Sequence, residues 1–297
     1  MPGFCDLTVV SVTGWQPAAA GAALAVQHSA RELPGSAALL ISPQRPPHLP
    51  GWVRHVAVAP FGYMEYSLFM LYALHQFIDT AFALVVQDDG WVLSGRNWQS
   101  AFFDYDYIGA PTHLALVDDG RAPAHYQRGF AWCHDEPPAS GSTAVPVLNG
   151  GFSLRSQRLM RMPRELGLAF QVPPPMPCDP AAGPPRLQWA HDIVLEDVWL
   201  CTVVRAALEA AGLRFAPVPL ACAFAIEHAG RGLHRGRGLE RLLGHHSKFR
   251  KITALAAPGA PPALRYTIGR ALASSIFGED DIVQGFEQLG WQLDWPA

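Results

Sequence analysis

Two adjacent carboxylates, Asp88 and Asp89, are the residues whose types and position best suit chemistry in this 297-residue chain. They follow the apolar run 81–86, which predicts a buried strand, and they precede Gly90. Paired carboxylates supply the oxygen ligands that hard divalent cations prefer, and such a cation neutralises a diphosphate leaving group. An ordinary Asp-Gly turn is the alternative interpretation. The buried strand favours a function, because charges at its end carry a desolvation cost.

A second adjacent pair, Glu196 and Asp197, stands near the start of segment 194–211, which has the apolar periodicity of an amphipathic helix. A helix dipole stabilises carboxylates in the first turn, and we expect it to keep Asp197 ionised at neutral pH. An ionised carboxylate can act as the general base that deprotonates a hydroxyl. An acidic first turn without catalytic function explains the pair equally well. The two side chains lie about 100° apart around a helix, so they cannot serve equally.

Two further segments carry polar groups suited to ligand binding. In 149–156 (NGGFSLRS), the glycines allow a close approach of the backbone to a ligand, and Asn149 and Arg155 supply hydrogen bonds. A tight turn into a strand is the alternative. In 244–247 (GHHS), neighbouring histidines can ligate a metal, although a solvated loop is the commoner case.

Composition excludes several classes of function. Apolar residues make up 49% of the chain and charged residues 16%, which predicts a large buried core rather than disorder. The net charge of −3 offers no field that would attract nucleic acid or an anionic membrane. Five scattered cysteines without a CxxC pair predict neither a disulfide framework nor a zinc knuckle. With no signal peptide and no apolar stretch of membrane-spanning length, we expect a cytoplasmic protein whose membrane contact is at most peripheral.

The elements that must position these residues begin with a β-α-β unit. Strand 7–13, helix 18–33 and strand 37–41 predict a parallel sheet with right-handed crossovers. Segment 66–78 has a helical pattern and leads into strand 81–86. Ligands bind beyond the carboxyl ends of strands in such sheets, which is where Asp88 and Asp89 stand.

The rest of the chain predicts longer connections and a helical end. Segments 113–146 and 171–187 have the composition of long loops, a short strand is expected at 213–218, and 265–289 is expected to be helical. We expect one domain over residues 1–252 and a helical extension over 253–297 that packs on it.

The order of these motifs is more specific than any one of them, and it resembles that of the GT-A glycosyltransferases. The closest resemblance is to a bacterial and fungal family of unknown function with a glycosyltransferase-like fold, and it covers residues 60–250. The matching motifs are 87–89 (QDD), 106–111 (DYIGAP), 149–156 (NGGFSLRS), 196–197 (ED) and 244–246 (GHH). The first position of the acidic motif is Gln87 rather than an aspartate.

This resemblance implies an α/β fold of the GT-A type, with a Rossmann-like, mixed but mostly parallel sheet flanked by helices. It implies metal-dependent transfer of a sugar from a nucleotide-sugar donor, by default a UDP-sugar, to an acceptor hydroxyl of a carbohydrate or glycoconjugate, as in surface polysaccharide synthesis. Asp89 and His246 would hold Mn²⁺ or Mg²⁺, and Asp197 or Glu196 would be the base. Within the matched segment, the donor-binding residues would be Asp88, Asn149, Gly150, Gly151 and Arg155. We also expect Thr13, which lies before that segment, to bind the donor.

An available base predicts an inverting mechanism, in which one carboxylate is enough because the metal assists the leaving group. Two alternatives stay open. A sugar nucleotidyltransferase would be expected to carry a Gly-rich phosphate loop with Lys or Arg after the first strand, which 13–17 (TGWQP) lacks. A non-catalytic nucleotide- or sugar-binding protein of the same fold would not need the acidic residues and His246 together.

Overall fold

The computed structural model describes residues 4–118, 126–129, 142–178, 187–189, 195–227 and 238–296. The first part of the chain alternates strands and helices, as the sequence predicts. Its elements are β1 (Leu7–Val12), α1 (Ala19–Glu32), β2 (Ala37–Ser42), β3 (Arg54–Ala57), α2 (Tyr63–Tyr72) and β4 (Phe82–Val85). The four strands are parallel. Helix α2 begins three residues earlier than predicted, because the Gly62 N–H donates to the Glu65 carboxylate and caps its first turn; a 3₁₀ turn, Leu74–Phe77, replaces its predicted end.

The second part of the chain completes the sheet with antiparallel strands. The added strands are β6 (Tyr107–Asp118), β7 (Tyr126–Gly129) and β8 (Ser142–Ser156). This part of the chain also contains β5 (Gly90–Val92), which belongs to a separate three-stranded sheet, and α3 (Gln157–Glu165). The seven-stranded sheet has the order β3-β2-β1-β4-β8-β6-β7. Strand β8 runs antiparallel to both β4 and β6. The predicted mixed, largely parallel α/β sheet is therefore confirmed.

The prediction of a loop over 113–146 is wrong wherever the structure describes that segment. Strand β6 continues to Asp118 and β8 begins at Ser142, while residues 119–125 and 130–141 lie outside the described part. Proline interrupts the strand pattern of the sequence at the start of β6. Pro111 lies at a register shift between β6 and β8, where the missing N–H of proline is tolerated. In the other predicted loop, 171–178 has no regular structure and 179–186 lies outside the described residues.

The predicted helix over 194–211 is two short helices rather than one. The elements of this region are α4 (Glu196–Cys201), α5 (Arg205–Ala210), α6 (Val218–Phe224), β9 (Ala225–Ile226) and β10 (Gly244–His246). Between α4 and α5 the Thr202 hydroxyl donates to the Val198 carbonyl, a local bond that competes with helix continuation; Val194 lies outside the described residues. The predicted strand 213–218 is only a single bridge at Phe215, because Pro217 cannot donate to a ladder and α6 begins after it.

The end of the chain forms a small sheet as well as helices, which corrects the expectation of a purely helical tail. Its elements are β11 (Arg250–Ala254), β12 (Ala263–Tyr266), α7 (Arg270–Ser275), α8 (Glu279–Gln288) and β13 (Gln292–Asp294). The expected boundary at residue 252 falls inside β11. Phe286 and Trp291 of this part pack against Trp91, so the tail shares the core of the body.

The sheet is buried on both faces. Along β1, Leu7 and Val9 belong to one apolar cluster, while Val10 and Val12 belong to another on the opposite face. This explains why the parallel strands have continuous apolar sequences. None of the helices in the described part of the chain is long and apolar enough to cross a membrane.

Candidate active site

A cleft of about 840 Å³ opens at the carboxyl ends of β1 and β4, where the β-α-β unit predicts a ligand site. It lies between the segment that follows β1, the start of α2 and the turn that follows β4. Trp15 and Tyr63 line it with largely exposed rings, 67% and 64% accessible. The lining also includes Thr13, Asp88, Asp89 and Lys251.

The acidic turn, which we define as Gln87–Gly90, is held in place by its backbone. The Gln87 and Gly90 amides donate to each other's carbonyls at 2.8 and 3.0 Å. Gly90 is required because a Cβ there would lie 2.9 Å from His246 Cδ2. The Asp89 carbonyl accepts from Ser247 N and the Asp88 carbonyl from Ile252 N, both at 2.8 Å. Backbone hydrogen bonds therefore connect the acidic turn to the C-terminal part of the chain.

Two cations neutralise the acidic turn. Lys251 Nζ lies 2.9 Å from Asp88 Oδ1 and 2.9 Å from Asp89 Oδ2. His246 Nε2 lies 3.3 Å from Asp89 Oδ1. Burial raises the pKa of Asp89, but His246 and Lys251 outweigh burial and lower the pKa to about 2. Burial and the charge of Asp89 raise the pKa of Asp88.

His246 lies between carboxylates from two different elements. Its Nδ1 is 3.6 Å from Glu227 Oε1, and its Nε2 is 3.2 Å from Gln87 Oε1. Although burial lowers its pKa, Asp89 and Glu227 together raise the pKa of His246 to about 10. Successive strand residues point to opposite faces, so the neighbouring His245 is buried edge-on against Trp91, 4.1 Å between ring centroids. Only His246 of the pair reaches the acidic turn.

A bulge in β8 brings the other half of the site close. Gly109 pairs with Ser153 and Pro111 with Leu148, so four residues of β8 oppose a single residue of β6. The Asn149 side chain closes this bulge, because its Oδ1 accepts from Gly151 N at 2.6 Å and from Phe152 N at 3.0 Å. Bulges of this kind redirect a strand locally and are common beside active sites.

The second acidic pair has different partners. Asp197 Oδ2 accepts from Gly150 N at 2.9 Å, and Oδ1 accepts from Val198 N at 2.7 Å. Burial and the charge of Glu196 raise the pKa of Asp197 to about 7. Desolvation therefore outweighs the favourable amide contacts, and Asp197 is only partly ionised at neutral pH rather than fully ionised as expected. Glu196 is buried and pairs with the buried Arg155 at 3.0 Å.

The glycine pair, Gly150 and Gly151, connects the two halves of the site. A Cβ on Gly150 would lie 2.5 Å from Glu196 Oε1 and 3.1 Å from Asp197 Cβ. A Cβ on Gly151 would lie 2.4 Å from His246 Nε2. One side of this pair therefore touches the second acidic pair, and the other touches the histidine that binds the acidic turn.

The predicted site residues divide into three groups. Thr13, Asp88 and Asp89 line the cleft. Asp197 and His246 do not line the cleft; each of them contacts the glycine pair, and His246 also contacts Asp89. Arg155, Glu196 and Asn149 serve the scaffold. Arg155 donates to Ser153 Oγ, the Gly150 carbonyl and Glu196, and Asn149 closes the bulge.

Sequence reasoning missed Lys251, Glu227 and Tyr63 as site residues. Glu227 follows the apolar run 220–226, so the strand-end rule that found Asp88 and Asp89 would have found it. Tyr63 lines the cleft together with Asp88 and Asp89. Desolvation and the charges of Glu196, Asp197 and Asp89 raise the pKa of its hydroxyl. No local signal identifies Lys251, because its partners are more than 160 residues away in sequence.

A divalent cation at the acidic turn would have few protein ligands. Asp89 Oδ1 is buried without a hydrogen-bond partner, and it faces His246 Nε2 at 3.3 Å. Within the residues that the structure describes, no group of three or more His, Cys, Asp and Glu side chains is arranged to hold a metal. Mg²⁺ commonly takes one or two protein ligands and completes its shell with phosphate and water. A cation here would require that arrangement.

Fold and site together define an α/β protein with an acidic cleft at the carboxyl edge of its parallel strands. The chain belongs to a family described as "Protein of unknown function (DUF5672)", whose model matches residues 61–246. The match begins after Thr13 and ends at His246, so it contains both acidic pairs and the glycine pair but not Lys251. No curated protein and no solved structure was found to match the chain.

Proposed function

We propose that this protein is a glycosyltransferase of the GT-A type, which moves a sugar from a nucleotide-sugar donor to an acceptor hydroxyl. The observation that carries the proposal is the position of the glycine pair. It contacts Asp197 on one side and His246 on the other. The glycine pair therefore lies between the candidate base, Asp197, and the candidate diphosphate site at His246. Group transfer from a diphosphate to a hydroxyl requires these two functions in one place.

The donor would occupy the cleft. Its nucleoside would lie along the segment after β1, where the exposed Trp15 ring offers a flat apolar surface for a base. The Thr13 hydroxyl is bonded to the backbone of Trp15, which holds this segment in a compact turn. The diphosphate would then face the acidic turn. A UDP-sugar is the default donor of this class of enzyme.

Asp89 and His246 would hold Mn²⁺ or Mg²⁺ once the His246 ring has given up the proton that makes it a cation, because only a neutral imidazole binds a metal. The metal would neutralise the charge that develops on the departing diphosphate. The chain's own groups arrange this position: Glu227 orients the His246 ring through Nδ1, and Gln87 lies beside Nε2. A second group behind a metal-binding imidazole is the usual means of fixing its orientation.

Asp197 is the better candidate for the base. Its carboxylate is held by two amides, and a pKa of about 7 lets it accept a proton near neutral pH. Glu196 is unsuited, because its ion pair with Arg155 is buried on both sides. A single base on the acceptor side supports inversion at the anomeric carbon, in which the acceptor oxygen attacks as the diphosphate leaves.

The test is a hydrolysis and transfer screen over nucleotide-sugars with Mn²⁺, using wild type and Asp89→Asn. We expect one donor class to be consumed by wild type, and we expect Asp89→Asn to lose metal-dependent affinity for the nucleoside diphosphate because it loses a hard ligand without changing volume. Unchanged metal-dependent affinity in Asp89→Asn would remove the metal assignment.

The same screen separates the alternatives. Thermal stabilisation by a sugar without nucleotide or metal, and without turnover, would favour a binding protein. Release of pyrophosphate from a nucleoside triphosphate and a sugar phosphate would identify a nucleotidyltransferase.

A further inference from the structure

Lys251 is a resident cation of the cleft that lies outside the family match. Its ammonium contacts both carboxylates of the acidic turn at 2.9 Å, and its side chain remains about one-third exposed to the cleft. It is one of only two lysines in the chain, the other being Lys248. Its position is therefore open to a ligand, whereas a purely structural ion pair needs no exposure.

The neighbouring residues hold Lys251 rigidly at this place. Arg250 is fully buried: Nη1 lies 3.4 Å from Glu279 Oε1 in α8, and Nη2 donates to the carbonyls of Glu227 and His246. On the other side, Ile252 N donates to the Asp88 carbonyl at 2.8 Å. Side chains alternate along β11, so burial of Arg250 in the tail directs Lys251 toward the acidic turn.

The chemistry of the ammonium suggests what it binds. A lysine has three N–H donors, and the two aspartates use two of them. Within the described part of the chain no other acceptor bonds this ammonium, which leaves one donor for a ligand in the cleft. Asp88 and Asp89 would repel an anionic ligand unless a cation such as Lys251 lay between the aspartates and the ligand.

We propose that Lys251 binds a phosphate oxygen of a diphosphate group in the cleft, so that the C-terminal part of the chain contributes directly to ligand binding. The inference rests on the proposed function, since it names the group of the donor that this residue contacts. It differs from the metal assignment, because Lys251 is held by Asp88 Oδ1 and Asp89 Oδ2, whereas Asp89 Oδ1 and His246 form the candidate metal position.

The experiment measures the binding of UDP and of inorganic pyrophosphate by calorimetry, once in EDTA and once in Mn²⁺. Lys251→Met should weaken both ligands at least about tenfold in both conditions, as expected for loss of a charged hydrogen bond. Lys248→Met is the matched control, because Lys248 is exposed and lies over the Phe249 ring. It should change affinity by less than about twofold.

A double variant, Asp88→Asn with Lys251→Met, separates contact from neutralisation. The double variant removes one negative and one positive charge, so it leaves no extra carboxylate unpaired. It should therefore stay folded even if the single variant Lys251→Met is destabilised. If Lys251 contacts phosphate, the double variant should bind as weakly as Lys251→Met. Recovery of wild-type affinity would mean that Lys251 only neutralises the turn, and it would overturn the inference.

Two other outcomes are also decisive. Wild-type affinity in folded Lys251→Met would overturn the inference and leave the proposed function standing. Failure of wild type to bind either probe in either condition would overturn both, because no diphosphate site would then exist in the cleft.

Discussion

The two acidic pairs, Asp88–Asp89 and Glu196–Asp197, look alike in sequence but have opposite environments. The first pair faces the cleft and is neutralised by Lys251 and His246, which come from the far end of the chain. In the second pair, Glu196 is tied to a buried arginine, and Asp197 is held by uncharged amides.

The difference in partners explains the difference in proton affinity. Cations beside Asp89 lower its pKa to about 2, so it stays ionised and attracts cations. Amides offset only part of the burial of Asp197, and the nearby Glu196 adds repulsion, so its pKa rises to about 7. In the proposed function, the first pair binds a cation and Asp197 moves a proton, and this difference in environment supports that division.

The largest effect that this comparison predicts is on stability. Arg155→Met would leave Glu196 buried without its cation and should lower the free energy of unfolding by about 3–5 kcal/mol. Urea denaturation measures this. Arg161→Met is the control, because Arg161 and Glu165 form an i,i+4 pair that is about half exposed and should contribute about 0.5 kcal/mol or less. Equal losses in the two variants would mean that the second pair is not held by its buried arginine.

The next effect is on turnover. Asp197→Asn should lower kcat about 100-fold or more while donor affinity stays nearly unchanged, because it removes a base and leaves the acidic turn intact. Steady-state kinetics with the donor found by the screen measures both quantities. Glu196→Gln is the companion variant and should lose stability rather than turnover. The roles are reversed if Glu196→Gln abolishes turnover and Asp197→Asn retains it; if both retain it, the base lies elsewhere and inversion loses its support.

A third prediction separates two neighbouring histidines. His246→Ala should weaken metal-dependent donor binding about tenfold or more, because it removes a candidate ligand. His245→Ala should instead lower stability by about 1–3 kcal/mol, since His245 makes edge-on contacts with Trp91 and Phe286. Calorimetric binding and thermal unfolding of both variants provide the comparison. Similar losses of donor affinity in the two would show that the acidic turn does not depend on His246.

The smallest expected effect is a pH dependence that belongs to Asp197. A base must be deprotonated, so kcat/KM should rise with pH up to about 7 and then level off. The contribution of Asp197 to the stability of the folded state should change with pH in the opposite direction. The folded state holds this proton more tightly than the unfolded state, so between about pH 4 and pH 7 the contribution of Asp197 to stability falls as pH rises. Asp197→Asn should remove both trends; an acid limb that persists in Asp197→Asn would assign it to another group.

Much of the fold and half of the site could be predicted from local patterns. A parallel strand that is buried on both faces is continuously apolar, and this pattern predicts the strands at 7–13, 37–41 and 81–86. Asp88 and Asp89 stood out because they follow such a strand. Strands β6 and β8 were not readable, because proline interrupts their pattern and their pairing joins residues far apart in sequence.

Local patterns in the sequence were enough to predict the α/β class, the strand-end position of the acidic turn and the two glycines beside a polar segment. The partners and the burial of each side chain depend on the tertiary structure. It placed Lys251 on Asp88 across 163 positions, assigned Arg155 to Glu196 rather than to the cleft, and directed His245 into the core. The physical reason is that apolar periodicity is a local property of the chain, whereas the pKa and accessibility of a side chain depend on charges and surfaces that long-range packing brings to it.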